Sequence, residues 1–183
     1  MGRILLTCLL AAFIGFGLAN AQTANGEHRI ALSPGWNLVS SYRTPQFANL
    51  TMILTDINNS IALLTLDGSS FYTSKRNLAG NWNCDAAYSV FMAQADTLNV
   101  YGDTITLPHS VQLTAGANRV GYPKRTESSA SATFLPIINY VVSVSDGEGR
   151  FLIPALGINT LETLRPGRGY VVHVRENCTV VFE

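Results

Sequence analysis

Apolar positions along the chain follow two periods, one helical and one extended, in short alternating stretches. Leu50, Ile53, Leu54 and Ile57 fall at i, i+3, i+4 and i+7, the stripe of an amphipathic helix, with Asn49 placed to cap it. Ser131, Phe134, Leu135 and Ile138 carry the same spacing further on, and Pro136 predicts that this second helix is short or irregular. The other apolar stretches read as strands. Ile61 to Leu66 and Phe71 to Thr73 flank Asp67-Gly68, and Tyr140 to Val144 and Arg150 to Ile153 flank Asp146-Gly147. An Asp-Gly pair between β-type runs predicts a hairpin, because both residues tolerate the backbone of a tight turn. Two further hairpins are predicted, Tyr88 to Ala93 with Thr97 to Tyr101 and Tyr170 to Arg175 with Thr179 to Phe182. The last is almost wholly β-branched or aromatic.

These elements occur twice in one order. Leu32-Ser33-Pro34-Gly35-Trp36-Asn37-Leu38-Val39 aligns with Leu113-Thr114-Ala115-Gly116-Ala117-Asn118-Arg119-Val120 at an offset of 81. Leu66-Asp67-Gly68 aligns with Ser145-Asp146-Gly147, Ala87 to Val90 with Gly169 to Val172, and Asp96 to Leu98 with Cys178 to Val180, at offsets of 79 to 82. Gly35, Asn37, Gly116 and Asn118 predict a turn ahead of strands at Leu38 to Tyr42 and Arg119 to Tyr122. The expected fold is mainly β: two tandem repeats of roughly 80 residues, each a sandwich or open barrel with one short helix, related by a pseudo-twofold axis. The division is 30–101 for the first repeat, 102–110 for a linker holding Pro108, in which Ile105 to Leu107 could add a strand, and 111–183 for the second.

The amino terminus has a different pattern. Arg3 precedes an uncharged run from Ile4 to Leu18, and Ala19-Asn20-Ala21 follows. A basic start, an apolar core and small residues at the cleavage positions make a secretory signal over residues 1–21. The run is too short for a spanning helix, which needs about 20 apolar residues, and polar Asn20, Gln22 and Thr23 close it off. Residues 22–29 are then a polar lead-in. The chain balances 12 basic against 12 acidic side chains, so losing Arg3 leaves a net charge near −1. That excludes the basic footprint of a nucleic-acid binder. Cys84 and Cys178 remain after cleavage, in an oxidising compartment, where they could form one disulfide or stay as two buried thiols.

Gly35-Trp36-Asn37-Leu38-Val39-Ser40-Ser41, Pro154 to Leu161, Pro166-Gly167-Arg168-Gly169-Tyr170 and Asn177-Cys178-Thr179 together resemble a Gly-Trp-Asn-type β-repeat module. That module occurs in secreted and surface proteins of Gram-negative bacteria that use type IX secretion. The resemblance covers essentially all of 30–183, and its motifs are structural. It implies a secreted or cell-surface setting, with the periplasm as the alternative. Residues 1–183 contain neither the large partner domain nor the sorting domain usual in that family.

No residue pattern carries a catalytic site. His28 lies in the lead-in, His109 in the linker, and His173 alternates with Val172 and Val174 on a strand as a solvated side chain; none sits in a metal-ligand motif. Asp67, Asp96 and Asp146 are accounted for by turns, and Asp146-Gly147-Glu148-Gly149 lacks the alternating oxygens of a calcium loop. No cofactor and no enzymatic activity are expected. Trp36, Tyr88 and Tyr170 read as core, which leaves Trp82, within Asn81-Trp82-Asn83, as the candidate ring for a ligand. The expected function is a structural, self-associating extracellular protein whose partner is itself. Gln22 and Arg29 of the lead-in would reach the edge strand of Thr179 and Val181 in a neighbour. A carbohydrate-binding or adhesion module, with glycans as partners, is the alternative, and a hydrolase with an unseen site is a distant third.

Overall fold

The computed structural model describes residues 26–66, 71–73, 76–78 and 80–183, with backbone alone at 71, 73, 76 and 77. The signal segment, Gln22 and the Asp67-Gly68 turn lie outside the described residues. The fold is mainly β, with several open sheets and, among the described residues, no closed barrel. One five-stranded antiparallel sheet runs in the spatial order Gly35–Val39, Tyr88–Met92, Ile61–Thr65, Phe71–Thr73, Arg76–Asn77. Another runs Gly116–Gly121, Gly169–Val174, Val141–Ser145, Phe151–Ile153, Ile158–Asn159. Their registers match as well. Gly35 faces Met92 and Gly116 faces Val174, and a bulge falls between Ile61 and Leu63 and again between Val141 and Ser143.

The second hairpin expected in each half does not form. Tyr88–Met92 pairs with Gly35–Val39 and Ile61–Thr65, whereas Asp96–Thr104 pairs with Gly26–Leu32 and Arg43–Pro45. In the same way Gly169–Val174 stays in the five-stranded sheet and Cys178–Phe182 pairs with His109–Leu113. The short connection carries the chain from one sheet to the other instead of folding it back in the same one. The reason is burial. Ile30, Leu32, Leu98 and Val100 on the smaller sheet face Leu64, Tyr88, Val90 and Met92 on the larger, and these share one cluster with Leu50, Leu54 and Ile57. A second cluster, drawn from residues 111–182, is separate.

Residues 26–29, expected in a loose tail, are therefore strand. His28 is buried in that strand, its ring stacked 3.9 Å from Tyr42 and its Nδ1 3.0 Å from Ser41 Oγ. Burial, reinforced by the nearby Arg43 guanidinium, lowers its pKa from 6.5 to about 4. His109 is also strand, and its Nε2 lies 2.7 Å from Asp85 Oδ1. His173 is exposed beside buried Val172 and Val174, as expected.

Local chemistry explains the helices and turns. Leu50–Ile53 is α-helical and Thr55–Ile57 is 3-10, with Asn49 Oδ1 accepting from Thr51 N at 2.8 Å and all four stripe residues buried. In the second helix, Ala130–Phe134, the expected stripe is one residue out. Ala130, Phe134 and Ile137 face inward and Leu135 is 66% exposed, because Ser129 caps the helix and sets its phase. At the turns the glycines supply the positive φ, +89° at Gly35 and +104° at Gly116. Asn37 instead works through its side chain: Oδ1 accepts from Ser33 N, and Nδ2 donates to Ser33 O and Gly35 O. Asn118 repeats these bonds with Thr114 and Gly116.

The two halves meet through reciprocal main-chain contacts. Val39 bridges Arg168 while Val120 bridges Ala86. Ser40 N donates to Gly167 O at 3.1 Å, and Gly121 N donates to Asp85 O at 2.8 Å. The buried Ser40 hydroxyl donates to Arg168 O and accepts from Tyr122 N, tying three segments together. Gly169 permits the close approach, since a Cβ there would overlap that of Ala87 and lie 3.1 Å from Leu38 Cγ.

Candidate ligand-binding cleft

The two tryptophans have exchanged their expected roles. Trp82 is 5% exposed, stacked on the Tyr88 ring at 4.6 Å within the first cluster. Its backbone N–H donates to Ala48 O, which pins the 81–82 segment beside the helix start and turns the indole inward. A ring so enclosed offers no face to a ligand. Trp36 is 61% exposed. It pairs across the sheet with Phe91, which pairs with Leu63, while Val90 and Leu64 at alternating positions face the core. Trp36 meets Phe91 edge-on with centroids 5.2 Å apart, so its outer face stays open. The matching row in the other sheet is Ala117, His173 and Ser143. That row carries no indole or phenyl ring. The alignment of Trp36 with Ala117 held a signal for this, since a core position seldom accepts so large a loss of volume.

Trp36 stands at the mouth of a cleft of about 260 Å³ between the halves, where Ser33 and Leu38 oppose Arg119, Gly147, Glu148 and Arg168. The Asp146–Gly149 turn builds the polar wall. Asp146 is buried and accepts from Glu148 N at 2.9 Å and from Arg150 Nε at 2.5 Å. Gly147, at φ +77°, lets the turn settle against Leu38. Glu148 then divides its carboxylate, with Oε2 2.9 Å from Arg150 and Oε1 2.6 Å from Arg168. Arg119 reaches across the junction and donates to Ser89 Oγ. Counted with Arg150, which holds the turn without lining the cleft, three guanidiniums meet two carboxylates, and Arg119 is the one without a carboxylate partner among the described residues. Sequence reading weighed Glu148 only within its own turn and did not join it to Arg119 and Arg168, because the three come from separate segments.

The remaining expected site residues are spread apart. Cys84 and Cys178 are free thiols, not joined in a disulfide. Each is half-buried against a different cluster, so the fold packs them as separate apolar side chains. Burial raises the pKa of both. Arg29 is exposed on Gly26–Leu32, opposite Asn99, and that strand is already paired within its own chain instead of free to reach a neighbour. Thr179 lies opposite Gln112 and hydrogen-bonds it, and Val181 is 39% exposed on the same strand. Among the described residues no group of three His, Cys, Asp or Glu side chains could hold a metal ion, and no helix is long and apolar enough to cross a membrane. Comparison with protein-family models, curated proteins and solved structures finds no match to this chain.

Proposed function

We propose that the protein is an exported, non-catalytic carbohydrate-binding or adhesion module made of two copies of one β-unit, with its ligand seated at the cleft between them. The observation that carries this reading is the open Trp36 ring at the mouth of that cleft. A flat indole face matches the C–H face of a pyranose. Sugar hydroxyls both donate and accept, and the guanidiniums and Glu148 beside the ring offer both complements. The carboxylates there are held by arginines, which favours recognition over acid–base chemistry. Matched strand order, shared bulges and reciprocal contacts support a duplicated unit with pseudo-twofold symmetry. The signal segment and the resemblance to surface modules of type IX-secreting bacteria support export. The mass of the exported protein should lack residues 1–21.

A glycan array tests the binding. Wild type should bind a defined set of glycans, and Trp36→Ala should lose them while costing less than about 1 kcal/mol in thermal unfolding. No glycan bound, or binding indifferent to Trp36, overturns the reading. Self-association is the second reading, favoured by Val181 exposed on the Cys178–Phe182 strand. Light scattering decides it, and a strict monomer at high concentration removes it.

A further inference from the structure

We infer that the ligand of this cleft is an acidic saccharide whose carboxylate is taken by Arg119. The inference rests on the carbohydrate-binding reading and adds the charge of the sugar. Of the three guanidiniums in the network around the cleft, two are committed. Arg150 is bonded to Asp146 and Glu148, and Arg168 to Glu148. Arg119 differs: its side chain donates to the neutral Ser89 hydroxyl, and it pairs with no carboxylate among the described residues. A guanidinium carries five N–H donors in a rigid fork, and one serine oxygen leaves most of that fork unused.

Arg119 is half-buried where the two halves meet, and its charge is less screened there than on an open surface. It lines the same cleft that Trp36 opens. A ring lying on the indole with a carboxylate directed inward would place the anion against the free fork, in the bidentate geometry that arginine favours. Glu148 does not fill that role in the structure: its carboxylate bonds Arg150 and Arg168 and not Arg119. An anion from the ligand would neutralise the Arg119 charge. A neutral sugar would leave it in place.

Titration calorimetry with oligogalacturonate and its fully methyl-esterified form isolates the charge, since esterification leaves the ring and linkage unchanged. A panel of sialylated glycans and their desialylated counterparts extends the test. Acidic forms should bind roughly 10- to 100-fold more tightly than their neutral partners, the range of one charge-assisted hydrogen-bonded pair. Arg119→Gln, which keeps a polar side chain without the charge, should erase that preference, and Arg119→Lys should retain part of it. Trp36→Ala should weaken acidic and neutral forms alike. Neutral and acidic partners bound equally, or a preference that survives Arg119→Gln in folded protein, overturns the inference while the carbohydrate reading stands. Binding of polyglutamate in place of any glycan overturns both.

Discussion

Lowering the pH from 7 to 4.5 will destabilise this protein through His28. The histidine is buried on Gly26–Leu32, stacked on Tyr42, with Arg43 close enough to oppose a second positive charge. Folding holds its pKa near 4, against 6.5 for the free side chain. Between those values the unfolded chain binds a proton that the folded chain refuses, so stability falls as pH falls through the window and levels off below about 4. Every tenfold drop in proton affinity on folding corresponds to about 1.4 kcal/mol, so the whole window is worth about 3.5 kcal/mol at most. Most of that is lost by pH 4.5. A loss of this size is a large fraction of the 5–15 kcal/mol that holds a typical domain together. The assay is urea unfolding at pH 7, 5.5 and 4.5, followed by the fluorescence of buried Trp82, on wild type and on His28→Phe. Phenylalanine keeps the stacking on Tyr42 and cannot take up a proton. Carboxylates such as Asp96, whose bonds to Ser60 and to Thr97 N lower its pKa, also lose stability in acid, and they do so equally in both proteins. Wild type should therefore lose about 2 kcal/mol more than His28→Phe between pH 7 and 4.5. Identical pH profiles for the two proteins would refute a buried, neutral His28.

Three other expectations follow from the packing. Trp82→Ala should cost about 3–5 kcal/mol, as for a large core ring, and Trp36→Ala less than about 1 kcal/mol, measured by thermal unfolding; equal costs would contradict their burial. Gly169→Val should destabilise by about 1–3 kcal/mol by driving Ala87 and Leu38 apart, and a neutral effect on urea unfolding would mean the halves are not in contact there. Alkylation of denatured protein without reductant should modify both Cys84 and Cys178, whereas protection until reductant is added would reveal a bond between them.

The sequence alone settled features that depend on near neighbours. Asn49 caps a helix whose stripe is buried, Asp146-Gly147 turns between paired strands, and His173 is solvated beside two buried valines, because capping, turn geometry and strand alternation act within a few residues. The Ala130–Phe134 helix marks the limit, since two adjacent stripes fit nearly as well and one serine cap chose between them. Tertiary structure decided which strands pair. A short turn between apolar runs can fold back or cross to another sheet, and Asp96–Thr104 crosses because its apolar face is buried against the larger sheet. It also decided which tryptophan is covered, as that depends on what packs over each face. The cleft shows the same dependence most plainly. Trp36, Ser89, Arg119 and Glu148 are far apart in sequence, and they converge only because main-chain bonds at Ser40 and Gly121, with no side chain at Gly169, let the two halves close on each other.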